Sequence, residues 1–254
     1  MAAAKKTAVA TAKSNLPANL QADLAAEMES FKTRLAAPTG DQIKVDDKVF
    51  KLPNGDTCDT LSVIIVDFVA YNKYYEGAYN PNNIVPPNCF SIGLEPASMV
   101  PSANSPDKQA DACGSCWANQ FKSSSNGNGK ACQNRIRLAV MAPDDDGSGP
   151  LMLLEVSSTA LKSFNSYVAS VARTFQRPPR GVITEISCDP NLKYDSLRFS
   201  NPQPCTPELF ALAHSRKQEA QERLMVEPDV STQAEAPAAK PGRGLKAPAK
   251  RKVA

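Results

Sequence analysis

From Ile43 onward, apolar and polar residues first alternate and then merge into a long apolar run. Ile43 and Val45 recur with a period of two, Val49 to Leu52 follow, and Pro53-Asn54-Gly55-Asp56 has turn chemistry before the run Leu61 to Tyr75. Period two places successive side chains on opposite faces of an extended chain, so the segment predicts strands of an antiparallel meander. Upstream, Leu20, Leu24, Met28, Phe31 and Leu35 recur at helical spacing after Pro17, which predicts an amphipathic helix ended by Pro38 and Gly40.

Regular pattern resumes at Asn134. Asn134 to Pro143, the turn Asp144-Asp145-Asp146-Gly147 and Pro150 to Val156 predict a hairpin. Ser157-Ser158-Thr159 then offers N-cap candidates for a helix whose stripe is Leu161, Phe164, Tyr167, Val168 and Val171, running to about Phe175 and broken by Pro178, Pro179 and Gly181. Gly181 to Cys188 predicts a strand, Tyr194 to Phe199 another, and Pro207 to Leu224 a closing helix.

Gly77 to Lys130 is rich in Asn, Pro, Ser and Gly, and a structureless loop of that length inside a compact domain needs something to tie it down. The element order predicts a β-rich α+β fold, with an oligonucleotide-binding (OB-like) Greek-key barrel as the leading architecture and another mixed sheet as the alternative. The expected organisation is a flexible basic leader over 1–15, a core domain over 16–226 with an insertion at about 77–133, and a disordered basic tail over 227–254.

Composition changes the picture in two places. Of the 254 residues 42% are hydrophobic and 22% charged, which suits a globular core. A core of this size folds without disulfides, and seven cysteines cannot all pair, so the thiols need another account. The N-terminus lacks a continuous apolar segment and no stretch approaches a membrane span, so a reducing, cytoplasmic setting is expected. The net charge of +3 singles out no partner by itself.

The strongest chemical signal is Cys113-Gly-Ser-Cys116, because a two-residue gap lets two thiolates reach one tetrahedral metal from a tight turn. Cys132 follows beyond a glycine-bearing loop, and Cys89 precedes the pair by a longer one. Together Cys89, Cys113, Cys116 and Cys132 would close a structural zinc site with no open position for catalysis. A redox pair of the thioredoxin kind and plain reduced cysteines are the rival readings; the first wants the pair at a helix start in a βαβ setting. Cys58, Cys188 and Cys205 lack close partners and are expected as core filler.

Catalytic signatures are missing. The sole histidine, His214, has no nucleophile motif around it, and no glycine series opens a helix after a strand, so a non-enzymatic protein without a small-molecule substrate is expected. The cysteine loop instead gathers Trp117, Phe121, Lys122, Lys130, Arg135 and Arg137, and the apolar strand adds Tyr71, Tyr74, Tyr75 and Tyr79 near Lys73. Aromatic faces beside cations suit a single nucleic-acid strand, because bases stack without regard to sequence while phosphates pair with the charges. In the plainer alternative Trp117 and Phe121 pack against the metal knuckle.

The runs Cys113-Gly-Ser-Cys116-Trp-Ala-Asn119, Gly-Asn-Gly-Lys-Ala-Cys132-Gln-Asn-Arg135-Ile-Arg137-Leu, Leu161-Lys-Ser-Phe164-Asn-Ser-Tyr167 and Gly181-Val-Ile-Thr-Glu-Ile186 resemble a group of tailed-bacteriophage proteins. These are similar in plan to phage single-stranded-DNA-binding proteins with a zinc knuckle inserted in an oligonucleotide-binding barrel. The resemblance covers roughly residues 40 to 200 and implies a role in DNA replication or recombination, with one structural zinc. A fourth cysteine here stands in for the histidine those proteins use with three cysteines, and the tail ends Lys250-Arg251-Lys252 where theirs is acidic. The expected function is therefore sequence-tolerant binding of single-stranded DNA. The alternative is a zinc-stabilised module that docks on host polymerase or other replication proteins.

Overall fold

The computed structural model describes residues 41–77, 84–125 and 127–231. The expected leader, the helix after Pro17, Tyr79 and the chain beyond 231 lie outside the described residues. The protein is a strand-rich α+β fold whose sheet curls into a half-barrel. Its strands are β1 (Gln42–Asp46), β2 (Val49–Lys51), β3 (Thr57–Cys58), β4 (Thr60–Tyr74), β5 (Cys89–Gly93), β6 (Gln133–Met141), β7 (Met152–Val156), β8 (Val182–Cys188) and β9 (Leu197–Pro204). They are ordered β3-β2-β1-β7-β6-β4-β8-β9, with β5 paired to β4 off this path. All neighbours are antiparallel except β1 and β7.

The 15-residue strand β4 is the spine, because its apolar run is long enough to pair with β8 at one end and with β5 at the other while β6 follows it from Ile64 to Lys73. On one face, Val63, Ile65, Leu138, Val140 and Leu154 pack against Phe164, Tyr167 and Val171 of α1 (Leu161–Phe175), the stripe expected of that helix. On the other, Ile64, Val66, Ala139 and Met141 pack against Ala213, Ala220 and Leu224 of α2 (Pro207–Ser215) and α3 (Lys217–Leu224). Cys188 and Cys205 are buried within these two cores as apolar filler, and Cys58 is half-buried at the rim of the first. Among the described residues no helix is long and apolar enough to cross a membrane.

Two expectations are corrected. The Gly77–Lys130 segment holds a strand, β5, paired with the end of β4; the clustered Asn and Pro residues around Cys89 conceal it. The single closing helix is two, because the Arg216 guanidinium is drawn 2.9 Å from the buried Asp145 carboxylate and the helix breaks there. Just after α3, within the described residues, Val226 and Glu227 are bonded to the fold. Glu227 accepts from Ser102 Oγ and Asn104 Nδ2, both at 2.6 Å, and Val226 O accepts from Arg137 at 2.7 Å.

The acidic Asp144–Gly147 segment is a turn, as expected. Asp145 accepts from the amides of Gly147 and Gly149, and Gly147 has φ +95 with Leu212 so close that a β-carbon would meet it at 2.9 Å.

Candidate functional site

The site is built on the distal half of β4, where a β-bulge between Ile65 and Asp67 changes which residues face which side. Before the bulge Val63 and Ile65 face α1. After it Phe68 packs on the α1 side and Val69 on the α2–α3 side. Alternation then sends Tyr71, Lys73 and Tyr75 to one face and Asn72 and Tyr74 to the other. Two separate clusters result.

The first cluster is the thiols. Cys89, Cys113, Cys116 and Cys132 line one small cavity together with Asn72, Tyr74 and Ser91. Cys89 enters it from the start of β5, opposite Tyr74 in the β4 register. The turn that carries Cys113 and Cys116 is held by backbone and amide bonds: Cys113 N donates to Met99 O at 3.0 Å, Asn119 Nδ2 to Cys113 O at 2.7 Å, and Asn119 N to Cys116 O at 3.1 Å. Cys132 N donates to Ala118 O at 2.8 Å, which sets the fourth thiol beside the pair just before β6 begins.

Burial pushes the Cys132 thiol up to about 12, and its neighbours Cys113, Cys116 and Cys89 add to the shift, since a second negative sulfur nearby disfavours the first. Cys113 is also raised by burial and by Cys89 and Cys116, while hydrogen bonds from Ser91 and Asn72 oppose the shift. As the side chains stand, no group of three or more His, Cys, Asp or Glu among the described residues is arranged to hold a metal ion. The four thiols nevertheless share one cavity and feel one another's charge. That donor set is chemically suited to a soft divalent cation, which would relieve the mutual repulsion of four thiolates.

The aromatic and cationic residues divide between the two faces. Trp117 and Phe121 stand on the outside of the cysteine loop, 50% and 78% exposed, with Lys122 exposed beside them. Trp117 meets the ring of Tyr74 edge-on at 5.6 Å and donates from Nε1 to Gln109 at 3.1 Å. Lys130 Nζ lies 5.3 Å from the Phe121 ring centroid and donates to Asn119 Oδ1 at 3.0 Å. Lys122 has φ 70, a left-handed conformation that a lysine adopts only at a cost.

Tyr71, Lys73, Arg135 and Arg137 form the second cluster on the opposite face of β4 and β6, around the single carboxylate of Glu155. Tyr71 is 2% exposed, with Arg137 and Lys73 over its ring, so it offers no face for a base. Arg137, 8% exposed, donates to Leu224 O and Val226 O. The ring face of Tyr71 and the N–H groups of Arg137, both expected at the interface, are engaged within the fold. Lys73 donates to both oxygens of Glu155 at 2.9 Å and is largely covered. Tyr75 is half-buried. Arg135, bonded to Gln133 and Glu155, keeps 32% of its side chain exposed.

Compared with protein-family models, with curated proteins and with solved structures, the chain matches none.

Asn72 and Gln109 escaped the sequence reading. Tyr74 was visible as one of three neighbouring tyrosines, but only the bulge decides that it, rather than Tyr71 or Tyr75, meets Trp117.

Proposed function

We propose that this protein binds single-stranded DNA without sequence specificity, in phage DNA replication or recombination, through a loop built around one structural zinc. The observation that carries the reading is the exposed pair Trp117 and Phe121, flanked by Lys122 and Lys130, on the loop that gathers four thiols around one cavity. Exposed aromatic faces cost free energy in water and gain it when bases stack on them. The adjacent ammonium groups of Lys122 and Lys130 meet phosphates, while Arg135 stays with Glu155 on the opposite face of β6.

Cys89, Cys113, Cys116 and Cys132 would hold the zinc, whose charge offsets four thiolates and ties the loop to β4 and β6. The sheet would then serve as an oligonucleotide-binding barrel that presents this loop at one end of β4. Without nucleophile, base and open metal position among these residues, the reading is a binding protein and not an enzyme.

A second reading is favoured by the engagement of Lys73 and Arg137 within the fold, which leaves fewer cations for phosphates. Under it, Trp117 and Phe121 are an apolar knob for a replication protein. Fluorescence anisotropy of labelled oligo-dT against duplex DNA of equal length separates the two. Preference for the single strand that weakens as salt rises supports strand binding, and no binding at low salt supports the docking module.

A further inference from the structure

The cavity that receives the four thiols also receives one buried amide. Asn72 is 7% exposed and sits on β4 on the face turned to the cysteines. A buried amide needs partners for its carbonyl and for two N–H groups. Its carbonyl is committed: Oδ1 accepts from Asn134 Nδ2 at 2.8 Å, across the register pair that joins β4 to β6. That bond fixes the amide's orientation and turns Nδ2 into the cavity, where Met99 Sδ lies at 3.7 Å and Cys113 lines the same wall.

Thioether and neutral thiol sulfurs are weak acceptors, and a buried amide gains little from them. A thiolate is a much better acceptor, since a hydrogen bond to a charged group is about twice as strong as a neutral one. Ser91 also lines this cavity, but its single hydroxyl proton is given to Val100 O at 2.7 Å. Asn72, whose Nδ2 has the Met99 sulfur as its partner, therefore has an N–H to offer a thiolate in this cavity.

We infer that Asn72, oriented by Asn134, is a positioning residue that donates to the Cys113 sulfur when that sulfur is a metal-bound thiolate. The inference rests on the zinc reading above and deepens it. The donor lowers the electron density of one ligand, holds its direction, and couples the metal loop to the strand that forms the spine of the sheet. Groups of this kind around metal ligands typically change metal retention by about ten- to hundredfold.

The test uses the full chain loaded with cobalt(II) and, separately, with zinc. In wild type, sulfur-to-cobalt absorption reports thiolate ligation, and transfer of zinc to a chromogenic chelator reports retention. Asn72→Leu should keep the absorption intensity of the full thiolate set, move the band to longer wavelength, and lose zinc about ten- to hundredfold faster. Asn134→Leu, which leaves the fold's core untouched and frees the amide to turn, should show the same changes in smaller measure; it carries the test alone if Asn72→Leu does not fold. Wild-type band position and wild-type zinc loss in both variants, or in Asn134→Leu alone where it is the sole folded variant, would overturn the role of Asn72 and leave the zinc site standing. Absence of sulfur-to-cobalt absorption in wild type would overturn the zinc reading and this inference with it.

Discussion

The Arg137 guanidinium lies 4.1 Å from the centroid of the Tyr71 ring, and the same guanidinium donates to the carbonyls of Leu224 and Val226 at 3.0 and 2.7 Å. One side chain thus fastens β6 and β4 to the end of α3. A residue type that often marks nucleic-acid contact is here a structural clamp, because both its face and its N–H groups are occupied.

Replacing Arg137 with methionine should therefore act on stability and not on binding. The substitution keeps apolar volume but forfeits hydrogen bonds from a charged donor, so a loss of about 3 kcal/mol in denaturant unfolding is expected. Oligo-dT affinity per folded molecule, and its dependence on salt, should stay at the wild-type values.

Tyr71 gives the fold an alkaline limit. Burial holds its hydroxyl well above the ordinary tyrosine value, with Arg137 opposing and Glu155 adding to the shift. A folded state that binds a proton more tightly than the unfolded state is favoured below the unfolded value of about 10 and loses that advantage as pH rises past it. Stability measured by urea unfolding should fall as pH climbs above about 10. Tyr71→Phe should flatten that fall.

Removing the metal should loosen one region only. Purified protein is expected to carry one zinc per chain, and chelation, or Cys113→Ser with Cys116→Ser, should open the segment from β5 to the start of β6 to hydrogen exchange. The core formed by Val63, Ile65, Leu138, Leu154 and Phe164 should keep its protection, since its packing does not depend on the thiols.

Much of this arrangement is legible in the sequence. The long apolar run to Tyr75, the Asp144–Gly147 hairpin and the stripe Phe164, Tyr167, Val171 correspond to β4, to the β6–β7 hairpin and to α1, because each pattern is local and buried against the sheet. Cys89, Cys113, Cys116 and Cys132, singled out by their spacing, line one cavity. What escaped was non-local. A one-residue bulge after Ile65 separates Tyr71 and Lys73 from Trp117, and no composition signal encodes it. The break at Arg216 depends on Asp145, 71 positions away in sequence. β5 is too short and too crowded by Asn and Pro residues to announce itself without its partner strand.

The division of labour between the two faces of β4 predicts opposite behaviour for two lysines. Lys122→Ala should weaken oligo-dT binding and reduce the slope of log affinity against log salt by about one, with little loss of stability. Lys73→Met should cost stability, because it leaves Glu155 with only the longer 3.4 Å contact to Arg135, and should leave the salt slope as it was.

The most direct measurement uses the chain's one tryptophan as its own reporter. Titration of the protein with oligo-dT at low and moderate salt should quench Trp117 fluorescence as bases stack on the ring, with affinity falling steeply between the two salts, and Phe121→Ala should cost about 1–3 kcal/mol of that affinity. Fluorescence unchanged by saturating oligo-dT at low salt, with no binding by anisotropy in the same samples, would contradict single-strand binding through this loop.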